Sequence, residues 1–337
     1  MTETLTYTRK DFQSDQEVKW CPGCGDFTIL ASIQSFFAEA GLPRENFVVI
    51  SGIGCSSRFP YYMNTYGMHT IHGRAPAIAS GIAITRPELS VWVTTGDGDA
   101  LSIGGNHFIH LMRRNVNVKL VLFNNQIYGL TKGQYSPTSE VGKITKSSPM
   151  GSIDRPFNPV SLALGAEASF VARTIDMDRK HTMEILRAAY EHRGTALIEI
   201  YQNCNVFNNH AFLELTGKQI RDENRINLEH GEPVLFGPEG EHAVILENGA
   251  AKVVPTASVD ASQILVHDAH AVNPSVAFAL SRLSHGPHGP TPLGIFRNVE
   301  RPVYEDVLQE QIDTAQERKG VGDLDKLLRS AGTWTVE

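Results

Sequence analysis

The chain has 337 residues, 41% hydrophobic and 20% charged, which is enough apolar material for a sizeable core. That balance excludes a disordered tail, a collagen-like fibre and a disulfide-stapled miniprotein. Thirty Lys and Arg against thirty-seven Asp and Glu give a net charge of −7, which argues against a general nucleic-acid or anionic-membrane binder.

In chain order, helical spacing over 27–40 is followed by an apolar strand, Phe47-Val48-Val49-Ile50, that ends in Ser51-Gly52-Ile53-Gly54. A helix is predicted over 75–84 and a strand over 90–95, stopping at Gly96-Asp97-Gly98. A helix over 103–113 leads to a third strand at 116–123, which stops at Asn124-Asn125. A helix over 180–192 precedes a fourth strand, 196–201, just before Cys204. Strand and helix in alternation predict an α/β fold, a parallel twisted sheet with helices on both faces. Ligands in such sheets lie at the carboxyl ends of the strands, where every motif here falls. Beyond Asn209 the pattern loosens. Turns surround a short strand at 231–240, a hairpin is expected at 242–254 and a strand and helix at 262–283. A breaker run at 286–292 precedes an amphipathic helix over 303–319. The expected organisation is 1–229 as the ligand-bearing domain and 230–337 as a C-terminal extension. No apolar run approaches the about 18–20 residues of a membrane helix, and Met1–Lys10 has no secretory core, so a cytoplasmic protein is expected.

Two glycines after a strand let the backbone approach a phosphate closely, and a following helix turns its free N–H groups toward that anion. A right-handed crossover then sets Asn125 beside Asp97. One carboxylate, one amide oxygen and a backbone carbonyl make half of an octahedral shell for Mg²⁺, with diphosphate oxygens and water completing it. Gly-Asp-Gly alone is a common turn, and Asn-Asn often only ends a strand. Together, in this context, they resemble the thiamine diphosphate motif.

Four cysteines are present, Cys21, Cys24, Cys55 and Cys204. In a reducing compartment such spread thiols serve more often as ligands, reactive groups or core fillers than as disulfides. Cys21 and Cys24 share one Cys-x-x-Cys turn, whereas Cys55 and Cys204 each follow a strand. By count, one [4Fe–4S] cluster and one structural zinc fit equally well. A redox dithiol with two buried thiols is the plainer reading. One pair plus two singles, rather than two paired knuckles, favours the cluster. His107 and His110 read as surface or packing residues.

The ordered set Cys-Pro-Gly-Cys-Gly-Asp (21–26), Gly-Ile-Gly-Cys-Ser (52–56), His72-Gly73-Arg74-Ala75, Gly-Asp-Gly-Asp (96–99), Asn-Asn-Gln-Ile-Tyr-Gly (124–129), Leu130-Thr131-Lys132-Gly133-Gln134 and Ser136-Pro137-Thr138 resembles the beta subunits of the 2-oxoacid:ferredoxin oxidoreductases. The likeness runs from about Trp20 to Asn209, and the tail is similar to the longer 2-oxoglutarate type. It implies the thiamine diphosphate-binding fold and oxidative decarboxylation of a 2-oxoacid to acyl-CoA and CO₂, with electrons passing through one [4Fe–4S] cluster to ferredoxin. Cys21, Cys24, Cys55 and Cys204 would hold the cluster; Asp97, Asn125 and the Ile127 carbonyl would hold Mg²⁺. Gly96, Gly98 and Asp99 would lie along the diphosphate, with Tyr128, Leu130, Ser57 and Arg58 also against the cofactor. His72 and Arg74 would face its reacting end.

In the family a glutamate for the aminopyrimidine comes from another domain, so a separate alpha subunit, in an alpha2beta2 assembly, would complete the site. Apolar Leu130 and the tail favour 2-oxoglutarate over pyruvate or a branched-chain acid. Arg58 or Lys132 would then meet the distal carboxylate, because a buried carboxylate demands a cation. A non-redox thiamine diphosphate lyase and a zinc-stabilised interaction module are the competing readings.

Overall fold

The computed structural model describes residues 6–283, 289–334 and 336. Its strands are β1 Phe47–Ser51, β2 Tyr66–His69, β3 Ser90–Gly96, β4 Val118–Asn124, β5 Phe170–Ile175, β6 Ala196–Tyr201, β7 Arg225–Leu228, β8 Leu235–Phe236, β9 His242–Glu247, β10 Ala250–Pro255 and β11 Thr291–Asn298. The helices are α1 Asp26–Ala40, α2 Ala75–Thr85, α3 Asp97–Leu101, α4 Gly105–Arg114, α5 Pro159–Gly165, α6 Arg179–Glu191, α7 Leu213–Thr216, α8 Arg221–Asn224, α9 Ser275–Ser281, α10 Tyr304–Lys319 and α11 Leu324–Leu328. Among the described residues, no helix is long and apolar enough to cross a membrane.

Eight strands form one sheet in the order β2-β1-β3-β4-β6-β5-β11-β7. All neighbours are parallel except β11 and β5. β1, β4, β5 and β6 are buried along their whole length, as strands covered on both faces must be. The period of two sorts their side chains. Phe47, Val49, Trp92, Val121, Phe123 and Ile198 meet α1 and α6 through Ile33, Phe36, Phe37, Ile185 and Leu186. Val48, Ile50, Val91, Val93, Leu120 and Leu122 meet α2, α4, α5 and α9 through Ala79, Phe108, Leu111, Leu164 and Leu280.

The sheet and its two helical layers match expectation. β2, β5, β7, β11, α3, α5, α7, α8 and α11 have no counterpart in the elements predicted above. Residues beyond 229 contribute to both sheets. β11, from the later segment, lies between β5 and β7, and Phe296 joins the core that holds Val48 and Val171. The segment adds a strand to the main sheet and a small antiparallel sheet, β10-β9-β8, which contains the expected hairpin. In 262–283 the described structure is a short 3-10 turn, isolated bridges and α9, in place of a strand and helix. The breaker run falls outside the described residues as far as 288, and its Thr291 and Pro292 open β11.

Candidate active site and thiol wall

Strands β2, β1, β3, β4 and β6 are consecutive in the sheet, and their carboxyl ends feed one crevice. Ile53, Gly54, Cys55 and Ser56 come from the turn after β1, and His72 from the turn after β2. Gly96, Asp97, Gly98 and Asp99 follow β3; Asn125, Ile127, Tyr128, Gly129, Leu130 and Thr131 follow β4. Cys204 follows β6 by three residues, and Cys21 and Cys24 lie just ahead of α1.

Register explains the central pairing. Gly96 of β3 faces Phe123 of β4, so the next residues on each strand bring Asp97 and the Asn124-Asn125 pair to the same level. Asp97 is buried, and its Oδ2 accepts from Ser136 and from Thr138 Oγ1 at 2.6 Å. Burial raises its pKa to about 6 despite those bonds, so a nearby cation would favour the ionised form. The two asparagines divide their work. Asn124 is buried in the scaffold, donating to Glu199 at 2.7 Å and accepting from Thr138 at 2.9 Å. Asn125 lines the crevice, with its Oδ1 accepting from the Ile127 N–H at 3.2 Å. Gly98 cannot be larger: a Cβ there would stand 2.1 Å from the Tyr128 ring, whose hydroxyl donates to the Gly98 carbonyl. Burial raises the Tyr128 pKa, which keeps that donor protonated.

Asp99 lines the crevice, but its carboxylate is fully engaged in tying three loops together. It accepts from the Gly73 N–H at 2.7 Å, the Ile53 N–H at 3.1 Å and Thr95 Oγ1 at 2.7 Å, and it contacts the His72 ring at Nδ1. These contacts hold the turns after β1, β2 and β3 together at the crevice. His72 is therefore held from behind, edge-on to Tyr128 at a centroid distance of 6.5 Å. Arg74 is not in the crevice; its guanidinium donates to the Ile103 carbonyl at 3.1 Å, at the α3–α4 corner. Ser57 is also absent from the crevice lining; it is buried, and its carbonyl accepts from Ser51 Oγ at 2.6 Å and His69 Nδ1 at 3.0 Å. Its neighbour Ser56 lines the crevice, with Oγ 3.3 Å from where a Cβ on Gly96 would be.

Arg58 lines an adjoining cleft with Lys19, Tyr61 and His69, and Ile53, Gly54 and Leu130 are common to both clefts. Lys132 is exposed and stands outside both, with a left-handed φ of 76°. His107 and His110 stay outside the crevice on α4, as expected. Sequence reasoning gave no role to Ser56, Ser136 or Thr138; the Ser-Pro-Thr run was the signal for the latter two.

The four thiols are free, and Cys55 and Cys204 both flank Gly129 at one side of the crevice. A Cβ on Gly129 would lie 3.5 Å from Cys204 Sγ and 3.6 Å from Cys55 Sγ. Cys24 senses Cys204 and Cys55 electrostatically, and Cys55 senses Cys204 and Cys21. Burial, reinforced by Asp26, pushes the Cys24 thiol well above its usual range and Cys55 to about 12. A dithiol nucleophile needs the opposite shift, whereas coordination to a metal deprotonates a thiol outright. Asp26 is buried with neither carboxylate oxygen hydrogen-bonded in the side-chain network, and burial raises its pKa to about 7. Among the described residues, no three His, Cys, Asp or Glu side chains gather around a point that would hold one metal ion. A four-iron cube makes no such demand, because each thiolate takes its own iron. The donor set and its grouping therefore fit a cluster, and the buried Asp97 beside Asn125 fits a diphosphate-bound cation.

The family model for the C-terminal TPP-binding domain of thiamine pyrophosphate enzymes matches residues 52–200. The chain is 59% identical to the 2-oxoglutarate oxidoreductase subunit KorB of Mycobacterium tuberculosis, over 97% of this chain and 88% of the relative. It is 49% identical to the beta subunit of 2-oxoacid:ferredoxin oxidoreductase 1 of Aeropyrum pernix, over 56% of this chain and 59% of that one. Its fold matches the solved 2-oxoglutarate:ferredoxin oxidoreductase from Magnetococcus marinus, which has 2-oxoglutarate, coenzyme A and succinyl-CoA bound, with a TM-score of 0.75, 33% identity and 98% coverage of both chains. With a relative this similar along nearly its whole length, and a thiamine pyrophosphate domain over the crevice-bearing strands, the chain belongs to the beta subunits of the 2-oxoacid:ferredoxin oxidoreductases.

Proposed function

We propose that this beta subunit works in a 2-oxoglutarate:ferredoxin oxidoreductase, which converts 2-oxoglutarate and coenzyme A to succinyl-CoA and CO₂ and delivers the electrons to ferredoxin. The observation that carries the reading is the meeting of two donor sets at contiguous strand ends: Asp97 and Asn125 on one side, four thiols on the other. Bound thiamine diphosphate supplies the electron sink for loss of CO₂, and a [4Fe–4S] cluster the one-electron relay.

The chain's own residues have separable tasks in this reading. Asp97, Asn125 and the Ile127 carbonyl would hold Mg²⁺, with Ser136 and Thr138 fixing the orientation of Asp97. Gly98, having no side chain, lets the Tyr128 ring pack against the turn that would face the diphosphate. Cys21, Cys24, Cys55 and Cys204 would hold the cluster. His72, with Nδ1 engaged by Asp99, keeps Nε2 to hold or pass a proton toward the substrate. Arg58, in the cleft that adjoins the crevice at Leu130, is better placed than Lys132 for the distal carboxylate. An alpha partner would bring the glutamate for the aminopyrimidine.

The test is the assembled complex, purified without oxygen. Viologen reduction that requires both 2-oxoglutarate and coenzyme A, with stoichiometric CO₂, supports the proposal. A complex carrying thiamine diphosphate that releases CO₂ without electron transfer would instead be a lyase, and the proposal would be rejected.

A further inference from the structure

Gln202 is almost fully buried, directly after β6, and its amide touches both donor sets. Its Oε1 accepts from Asn125 Nδ2 at 2.8 Å. Its Nε2 donates to Cys24 Sγ at 3.3 Å and to the Asn203 carbonyl at 2.6 Å. Its backbone N–H is fixed on the Asn124 carbonyl at 3.0 Å. Every hydrogen of the amide is used and its orientation is fixed, because only a carbonyl oxygen can receive the Asn125 amide.

We propose that Gln202 is a positioning residue that joins the cofactor half of the site to the sulfur half. On one side it takes the Asn125 N–H₂, which turns the Asn125 carbonyl oxygen toward the cation. On the other it gives an N–H to the Cys24 sulfur. A donor on a ligand sulfur stabilises the more negative, reduced state of a cluster, so it raises the reduction potential. One side chain thus sets the geometry at the electron source and the driving force at the first acceptor. The inference rests on reading the four thiols as cluster ligands.

The experiment uses the assembled, anaerobically purified complex with Gln202→Met, which keeps the length and removes all three side-chain hydrogen bonds, and Gln202→Glu, which keeps the oxygen that Asn125 needs. The readouts are iron content, cluster potential by EPR-monitored titration, and Mg²⁺-thiamine diphosphate affinity. Gln202→Met is expected to retain its iron, to shift the cluster to a more negative potential and to weaken thiamine diphosphate by about 10–100-fold, the range for a lost ligand-orienting contact. Gln202→Glu is expected to recover most of the affinity. A fully loaded Gln202→Met complex with unchanged potential, or with unchanged affinity, overturns the proposal. A parent complex without iron overturns the cluster reading itself, and a different measurement, the iron assay, reports that failure.

Discussion

The half of the sheet that bears the crevice, β2-β1-β3-β4-β6, and the half that flanks it, β5-β11-β7, use polar residues in different ways. In the first half the functional polar groups sit past the carboxyl ends of apolar strands, as Asp97 follows Ser90–Gly96 and Asn125 follows Val118–Asn124. In the second, charges sit inside the strands. Arg173 of β5 is buried against Glu199 of β6 at 2.6 Å, between the rings of Tyr201 and Phe296. Arg297 of β11 is buried against Glu167 and the carbonyls of Ala168 and Val272. Only the crevice half places charge where a ligand can reach it; charges inside strands fasten distant stretches of chain in both halves, as Lys119 of β4 does on the carbonyls of His192 and Gly194. The seam connects them, because Glu199 also accepts from Asn124, which in turn accepts from Thr138, a donor to Asp97.

The largest effect should come from Asp97→Asn, which keeps size and acceptor oxygen but removes the charge. Burial already disfavours that charge, so the unliganded chain should melt no lower than the parent. Mg²⁺-dependent thiamine diphosphate binding, followed by calorimetry, should weaken by at least about a hundredfold, more than loss of an orienting neighbour. A variant within about tenfold of the parent would remove Asp97 from the cation site.

The second break is at the seam. Arg173→Met leaves Glu199 charged, buried and unpaired, a loss of about 3–5 kcal/mol in urea unfolding. Adding Glu199→Gln removes the orphaned charge and keeps an acceptor for Asn124, so part of the stability should return. Two additive losses would show that the residues are not coupled.

This contrast also marks how far the sequence could be read. The crevice half was legible, since β1, β3, β4 and β6 are apolar runs closed by Gly, Asn or a polar turn. The far half was not. Phe170–Ile175 is a short run with Arg173 at its centre, whose burial depends on Glu199 from another strand. Thr291–Asn298 begins Thr-Pro and contains Gly294 at φ 120°, so it reads as a breaker although it pairs on both sides. Tyr66–His69 is an exposed edge with no buried alternation to signal it. Within the site, Asp97, Asn125, Cys55 and Cys204 stand out in the sequence because each follows the end of a strand, and Cys21 and Cys24 because they share a Cys-x-x-Cys turn. That Ser56 rather than Ser57 lines the crevice and that Arg74 stands outside it were not legible, because the direction of a side chain in a 3-10 turn or at a helix N-terminus is set by packing. The partners of Asp99 come from the loops after β1 and β2, which spacing along the chain does not bring together.

The smallest effect tests whether the far half responds to pH through one residue. His192 is buried, with Nε2 2.8 Å from Ser169 Oγ and Nδ1 2.9 Å from Asn298 Oδ1, so it joins the segment before β5 to the end of β11. Burial first, then the Lys119 charge, lowers its pKa from 6.5 to about 4. Between those two values the unfolded chain holds a proton on this ring and the folded chain does not. Acidification therefore favours unfolding, by at most about 1.4 kcal/mol per pH unit from this group, and above the ordinary histidine pKa the contribution is flat. His192→Gln keeps polar atoms at the position and has no proton to gain. Urea midpoints measured at several pH values from neutral to mildly acid should fall more steeply for the parent than for the variant, so the stability gap between them narrows on acidification. Parallel curves would mean that the ring binds its proton equally well in the folded and unfolded chains, so that burial does not lower its pKa.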